Sequence, residues 1–408
     1  MLRPRSFQVH LRLSSCRRLW SFSWARFPRF VFRGHAYGMN KISCEIPWAR
    51  PNFWGNEREY VVEALDSSWI SGGPFVDRLE RKFAYYSGAT AAITCANGTA
   101  ALHLVYLGLG IKPGDEIVVP GFGFLAAANI ALHVAAKPVF CDVDPHTWCA
   151  RAEDIAPVIT PRTKIIIAVH TYGNVCDMDA ILALGREKHV AVIEDAAEAF
   201  PSRYRGRLAG TLSVAGCFSF QATKTITTGE GGMVVTEDAA LRQRMELYRS
   251  HGLMRKRHYW HELPGHNFRL TNLQAALGCA QLERLDMIVS ERRRVYQRYC
   301  TNLSKLAGVI PQRFSTDVDP VVWAIAVKLD PEAYLQGRDR VMAQMQDNGI
   351  ETRPGFYPPR ALGYFDCPPL PVSEALASEI ISLPSYPTLQ NSEIDFVCET
   401  LRMLSGHA

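Results

Sequence analysis

The chain has 408 residues, 48% of them apolar and 21% charged, enough for two or three domains around a large core. Its formal charge of +5 is concentrated at one end: eight of its 45 basic residues are arginines among the first 40 positions, which hold no Asp, Glu or Lys, so the remaining 37 face 40 acidic residues, a balance of −3. A slightly acidic body excludes nucleic-acid binding, and the lack of any apolar run near 18 residues excludes a membrane-spanning helix.

In chain order, residues 1–38 read as an Arg-rich extension, expected to be disordered and set aside from the fold. The composition from Met1 to Tyr37 resembles an organelle transit peptide. It is a poor secretory signal, because Arg26 and Arg29 interrupt its apolar stretch. The preferred reading is an upstream start with Met39 as the true one, which places the protein in the cytoplasm. Eleven scattered cysteines without a Cys-x-x-Cys pair suit reduced, mostly buried thiols.

Globular patterning follows. Phe75, Leu79 and Phe83 mark one helix face. The pattern then predicts a strand at Ala92–Cys95, a helix at Gly98–Leu109, a strand at Glu116–Val119, a helix at Phe124–Ala135 and a strand at Pro138–Cys141. Next come a strand at Lys164–Val169, a helix at Met178–Lys188 and a strand at Val190–Ile193. Strands this apolar are covered on both faces, which implies a mostly parallel sheet between helices. A strand after Gly232 leads into a helix at Ala239–Arg249, and one long helical stretch is expected from Thr271 to about Leu306. The remainder reads as a smaller α/β unit, with a strand at Val321–Leu329 and helices at Arg338–Asp347 and Ser392–Leu404. The Pro-rich stretches Arg353–Pro359 and Cys367–Val372 are expected to be loops.

Ligands of open α/β sheets bind beyond the carboxyl ends of the strands, and four segments at such ends carry chemistry. Ala96-Asn-Gly98-Thr99 joins a strand to a helix. Free N–H groups at a helix start favour phosphate, and Gly98 permits close approach while Thr99 adds a hydroxyl; the plainer alternative is a helix cap. Pro120-Gly-Phe-Gly-Phe124 ends on an aromatic side chain that suits either stacking on a planar ligand or core packing. Glu194-Asp195-Ala-Ala-Glu198 follows the strand ending at Ile193. A carboxylate buried there needs a cation such as a protonated pyridine nitrogen, the alternative being a helix-starting Asp.

The fourth segment, Cys217-Phe-Ser-Phe-Gln-Ala-Thr-Lys224-Thr-Ile-Thr-Thr-Gly-Glu-Gly-Gly, holds a lysine between two apolar strands. An amine so placed can form an imine with a carbonyl, the chemistry of enzymes that use pyridoxal phosphate (PLP). Ser219, five residues earlier, could reach the same phosphate as Thr99. A lone lysine is ordinarily a surface residue, and the neighbouring segments are what alter that reading.

Three other features carry less. His258, His261 and His266 lack the spacing of a zinc site, so no metal is expected. Gly108-Leu-Gly110 follows a helix and not a strand, which removes it as a dinucleotide motif. Arg353 and Pro358-Pro359-Arg360 suit either substrate anions or solvated loop charges.

From Ile46 to the C-terminus, about 360 residues, the chain resembles the DegT/StrS-type sugar aminotransferases. The resemblance rests on Gly-Thr-Ala-Ala-Leu-His, Pro-Gly-Asp-Glu-Ile-Val-Val-Pro, Thr-Pro-Arg-Thr-Lys, Glu-Asp-Ala-Ala-Glu-Ala and Leu-Thr-Asn-Leu-Gln-Ala-Ala. It implies fold type I of the PLP-dependent transferases: a large PLP-binding domain over residues 46–285 with a mostly parallel seven-stranded sheet between helices, and a smaller C-terminal α/β domain over residues 286–408. By the same resemblance Lys224 would hold PLP covalently and then carry the proton between Cα and C4′, and Asp195 would pair with the pyridine nitrogen. Glu198, at a position often Gln in relatives, would face the phenolic oxygen. Phe124 would stack on the ring, Gly98, Thr99 and Ser219 would hold the phosphate, and Asn267 would reach the phosphate of a partner subunit, which implies a homodimer with shared active sites. The implied reaction moves an amino group from glutamate to C4 of a nucleotide-linked 4-keto-6-deoxy sugar. The lysine segment together with Arg257-His-Tyr-Trp260 best fits the subset acting on GDP-4-keto-6-deoxymannose. Alternatives are a UDP- or dTDP-linked sugar, a PLP-dependent sugar dehydratase, whose known form has His at the lysine position, or a non-catalytic regulatory protein of this fold.

Overall fold

A seven-stranded sheet is the floor on which the strand-end segments meet. The computed structural model describes residues 46–254 and 256–406; the extension at residues 1–38 lies outside them. The strands are β1 (Ala91–Cys95), β2 (Glu116–Pro120), β3 (Lys137–Cys141), β4 (Thr163–Val169), β5 (Ala191–Asp195), β6 (Ala215–Ser219) and β7 (Gly232–Thr236). Their order across the sheet is β1-β7-β6-β5-β4-β2-β3. All neighbours are parallel except β7, which is antiparallel to both β1 and β6. A strand antiparallel to both neighbours leaves those two pointing the same way. The carboxyl ends of β1 to β6 therefore share one edge, where ligands of such sheets bind.

The helices around this sheet are α1 (Glu57–Asp66), α2 (Pro74–Ser87), α3 (Gly98–Leu109), α4 (Ala126–His133), α5 (Met178–Lys188), α6 (Ala239–Arg249) and α7 (Asn272–Glu283). Strand side chains alternate between faces, and both faces here are apolar. Ile93, Ile117, Val119, Ile165, Ile167 and Val234 pack with α3, α4 and α6. Val118, Ile166, Ala168 and Val192 pack with α5 around the buried Trp148. Ala92, Met233 and Val235 pack with Phe75, Leu79 and Phe83 of α2 and with α7. This two-sided burial is why the strands read as unbroken apolar runs.

A second sheet contains β8 (Val309–Pro311), β9 (Ile325–Leu329), β10 (Arg353–Pro354) and β11 (Ile380–Leu383), in the order β8-β9-β11-β10 and antiparallel throughout. It packs with α8 (Leu285–Leu303), α9 (Arg338–Asp347) and α11 (Asn391–Met403). Helix α10 (Pro371–Glu379) leads into β11. A small three-stranded sheet joins Arg203–Tyr204, Arg207–Leu208 and Val318–Asp319.

Several sequence expectations are corrected. The long helix after Thr271 is two helices, broken at Arg284, whose φ of −107° and ψ of 11° leave the helical region. The strand expected at Val321 begins at Ile325, and the helix expected at Phe124 begins at Ala126. Arg353–Pro354, expected to be loop, forms the edge strand β10, where a proline costs no ladder bond on the open side. Pro371, also expected in a loop, is the first residue of α10, where its missing N–H costs nothing.

Candidate active site

Each strand-end segment is held by its own local chemistry. At the end of β1, Asn97 caps α3, its side chain accepting the Ala100 N–H at 2.8 Å. The first N–H groups of a helix have no acceptor within it, so the turn at Gly98 and Thr99 offers donors where both residues line the central cavity. Two close approaches require glycine here. A Cβ on Gly98 would sit 2.9 Å from the Ser219 Cβ, and one on Gly232 would sit 2.4 Å from the Asn97 carbonyl oxygen. The backbone of β7 thus presses on the α3 entry, and the end of β6 sets the Ser219 side chain beside it.

β5 delivers the acids. Asp195 is buried, and its side chain accepts the Ala197 N–H at 3.1 Å. Glu198, also buried, accepts the Tyr172 N–H at 3.0 Å. Behind them the imidazole of His170 and the carboxylate of Glu194 meet at 3.0 Å, both side chains fully buried. The Cys176 N–H points at His170 Nδ1 at 3.3 Å, which makes Nδ1 the acceptor and leaves the hydrogen on Nε2 for Glu194. Glu194 also accepts the N–H groups of Gly210, Leu212 and Ser213. The His170 main-chain N–H donates to the Asp195 carbonyl at 3.0 Å, so this buried network fixes the end of β5.

Lys224 stands over the acids. Its Nζ lies 3.7 Å from Glu198 Oε1 and 3.6 Å from the centroid of the Trp323 ring. Burial pushes the carboxyls of Asp195 and Glu198 above their usual range, against the pull of nearby Lys224. Burial likewise draws the Lys224 ammonium below the ordinary lysine value, with Arg292 adding to the effect and the two carboxylates opposing it. Burial thus shifts all three groups toward their neutral forms, while their mutual attraction pulls the other way.

These groups share one cavity of about 680 Å³. Of the residues singled out in the sequence, Gly98, Thr99, Phe124, Asp195, Glu198, Ser219 and Lys224 all line it. Asn267 does not. It is exposed, bridged to Ser250, and accepts a hydrogen bond from Arg269 Nε at 3.0 Å. Phe124 is 63% exposed although apolar, and its ring stands near-perpendicular to that of Phe356, at 6.4 Å and 76°. Its ring is therefore not core, and it borders the cavity. Arg353, left undecided by the sequence, also lines the cavity, paired with Glu351 at 2.5 Å and 5.8 Å from the centroid of the Trp48 ring.

Sequence reasoning missed the aromatic wall. Tyr172 stacks on Phe356 at 5.1 Å and 15° and on Trp323 at 6.2 Å and 17°, and Trp48 meets Trp323 edge-on at 5.6 Å. Tyr172 holds a left-handed backbone, φ 59°, that is strained for a tyrosine. It lies three residues past the end of β4, so the strand-end rule could have found it. Trp323 offered no such signal.

A buried carboxylate facing the cavity, a glycine cradle beside a helix start and a hydroxyl, a bordering aromatic ring and a buried amine are together what PLP requires of a protein. The residues present fit that cofactor. Among the described residues no group of three or more His, Cys, Asp and Glu side chains could hold a metal ion, and no helix is long and apolar enough to cross a membrane.

Comparison with known proteins agrees with this geometry. The model of the DegT/DnrJ/EryC1/StrS aminotransferase family matches residues 53–402. The chain is 41% identical over 359 residues to GDP-perosamine synthase of Escherichia coli O157:H7, covering 87% of this chain and 97% of that protein. It is 42% identical over 361 residues to GDP-perosamine synthase of Caulobacter vibrioides, with the same coverage of 87% and 97%. Among solved structures it resembles the aminotransferase TlmJ from Streptoalloteichus hindustanus, with a TM-score of 0.83 and 32% identity over 88% of this chain and 98% of that one.

Proposed function

The chain belongs to the DegT/DnrJ/EryC1/StrS aminotransferase family, and from that premise we propose that it transfers the amino group of glutamate to C4 of GDP-4-keto-6-deoxymannose, yielding GDP-perosamine. Membership makes the protein an aminotransferase of sugar substrates and implies PLP as its cofactor. The substrate and donor are our reading, supported by the two GDP-perosamine synthases that the chain resembles over nearly their whole lengths.

The single observation that carries the reading is the meeting of Lys224 with Asp195 and Glu198 in the cavity that begins at the start of α3. When bound, PLP supplies an aldehyde that exchanges between amines and a ring that delocalises the electron pair left on the reacting carbon. Lys224 would hold the cofactor at rest and, once released, act as the base and acid that moves a proton at the carbon bearing the amine. Asp195, kept in place by the Ala197 N–H and the His170–Glu194 network, would hold the ring nitrogen cationic. Gly98, Thr99 and Ser219 would hold the phosphate, Phe124 would cover the ring, and Glu198 would sit at its phenolic oxygen. With a carboxyl pushed toward its neutral form by burial, Glu198 could donate a hydrogen bond there. Trp48, Tyr172, Trp323 and Phe356 exclude water from the reacting atoms. Arg353 offers a cation to the diphosphate or to the carboxylate of the donor. The exposed Asn267 suits a role in a partner subunit, and we read the protein as a homodimer with shared sites. We also read residues 46–285 as the PLP-binding domain and 286–408 as the smaller one.

A panel of GDP-, UDP- and dTDP-linked 4-keto-6-deoxy sugars with glutamate, scored for aminated product, tests the assignment. Amination of the GDP sugar is expected. Turnover of a UDP or dTDP sugar in its absence would overturn the substrate, and consumption of keto-sugar without nitrogen transfer from labelled glutamate would overturn the reaction.

A further inference from the structure

The buried face of α8 is a stripe of Leu285, Ile288, Arg292, Val295, Tyr299 and Leu303 at helical spacing. One position in this otherwise core-forming stripe is a guanidinium, 6% exposed. Among the described residues no carboxylate lies within ion-pair distance of it. Its Nη1 donates to the Trp323 carbonyl at 3.0 Å, and its Nε has no partner. An unneutralised buried charge is costly to any fold. A neutral side chain could have filled this place, and one hydrogen bond to a carbonyl does not require a cation.

What Arg292 touches accounts for it. The Trp323 carbonyl also accepts the Ser385 hydroxyl at 3.1 Å, and the Trp323 indole N–H donates to the Thr223 carbonyl at 2.8 Å. Tyr172 stacks on one side of the indole and Trp48 meets it edge-on. The ring so clamped is the surface 3.6 Å from the Lys224 amine, and Arg292 and Lys224 together line a small pocket behind the active site.

We propose that Arg292 is a positioning residue for Lys224, holding the Trp323 indole against the amine from behind the site and keeping a second positive charge off it. The inference rests on Lys224 being the reacting amine, as read above. The charged groups around Lys224 are then Asp195 at the end of β5, Glu198 past it and Arg292 on α8, with Glu230 and Arg353 lining the same cavity. The carboxylates favour the ammonium form; burial and Arg292 oppose it. Even the guanidinium of Arg292 is drawn down to about 10 by burial, a measure of how poorly this region tolerates positive charge. A neutral Lys224 attacks a carbonyl, and a protonated one does not.

The test is competitive acylation of the full-length, cofactor-free protein with trace acetic anhydride across pH, the Lys224 peptide being quantified by mass spectrometry against exposed lysines. Lys224 of the unaltered protein should titrate below the exposed lysines. Arg292→Met should move its midpoint up, read as severalfold less labelling of Lys224 at neutral pH relative to the exposed lysines. Arg292→Lys should restore most of the original value, which loss of packing alone would not explain. An unshifted midpoint in a folded Arg292→Met protein would overturn the proposal. So would an unaltered protein whose Lys224 titrates with the exposed lysines, a result that needs no variant to fold. Borohydride reduction of the cofactor-loaded protein separates the two readings: cofactor fixed on Lys224 with no Arg292 effect sinks this inference alone, whereas cofactor fixed elsewhere sinks the assignment of Lys224.

Discussion

The amine of Lys224 rests 3.6 Å from the centroid of the Trp323 indole, a residue 99 positions away that belongs to the entry of the second sheet. The two elements meet because Trp323 leads into β9, where the chain passes Tyr172: the Trp323 N–H donates to the Tyr172 carbonyl at 3.1 Å. The indole face, fixed in this way, limits where the free amine can swing. Trp323→Leu should therefore lower kcat by about tenfold while changing the KM for glutamate less. Steady-state kinetics checks this, and an unchanged kcat would contradict the platform role.

Glu198 is held above the usual carboxylate range by burial despite its neighbour Lys224. An acid whose folded pKa is raised binds more protons folded than unfolded between the two pKa values. Its burial then costs stability as pH rises from the unfolded value through the folded one. Glu198→Gln should raise the Tm of the cofactor-free protein at neutral pH, by about 1 °C for each kcal/mol gained in a chain of this size. The gap should close as pH falls into the ordinary carboxylate range. Thermal melts of both proteins across pH decide it, and a variant less stable at neutral pH would refute the sign.

Asp195→Asn keeps the shape and removes the charge. Leaving a buried cation without its partner costs about 3–5 kcal/mol, so PLP affinity should fall by roughly two to four orders of magnitude. Titration of the cofactor-free protein, followed by absorbance, measures this. Undiminished affinity would mean that Asp195 does not meet the ring nitrogen.

Asn267 lies on the surface and outside the cavity that holds Lys224. If it serves a partner's site, mixing inactive Lys224→Ala and Asn267→Ala proteins should restore activity, because each mixed dimer gains one complete site. An equal mixture with random exchange should reach about a quarter of full activity. No recovery, despite subunit exchange seen by mass spectrometry, would place Asn267 in its own subunit's site or in none.

Much of this was legible in the chain because local chemistry agreed with the fold. The bounds of α3, α5, α6 and α9 follow from periodicity together with caps such as Asn97, Asp177 and Asp238 before them and Gly110 after α3. That Gly98, Asp195, Ser219 and Lys224 would meet in one cavity was legible because parallel strands bring their carboxyl ends to one edge, a rule that needs no knowledge of strand order. The second sheet was harder to read. Its edge strand is two residues long and ends in Pro354, which signals a loop. The break at Arg284 carries no Gly or Pro to mark it. Trp323 and Arg292 were illegible for another reason. Their roles arise only where α8 and the approach to β9 meet behind Lys224, contacts that span 31 residues between each other and more to the site.

The most direct test of the account is reduction of the PLP-loaded protein with borohydride, followed by peptide mapping. The account predicts a yellow protein that bleaches on reduction and carries one pyridoxyl group on Lys224. A protein that binds no PLP, or one in which the group appears on another lysine, would contradict it.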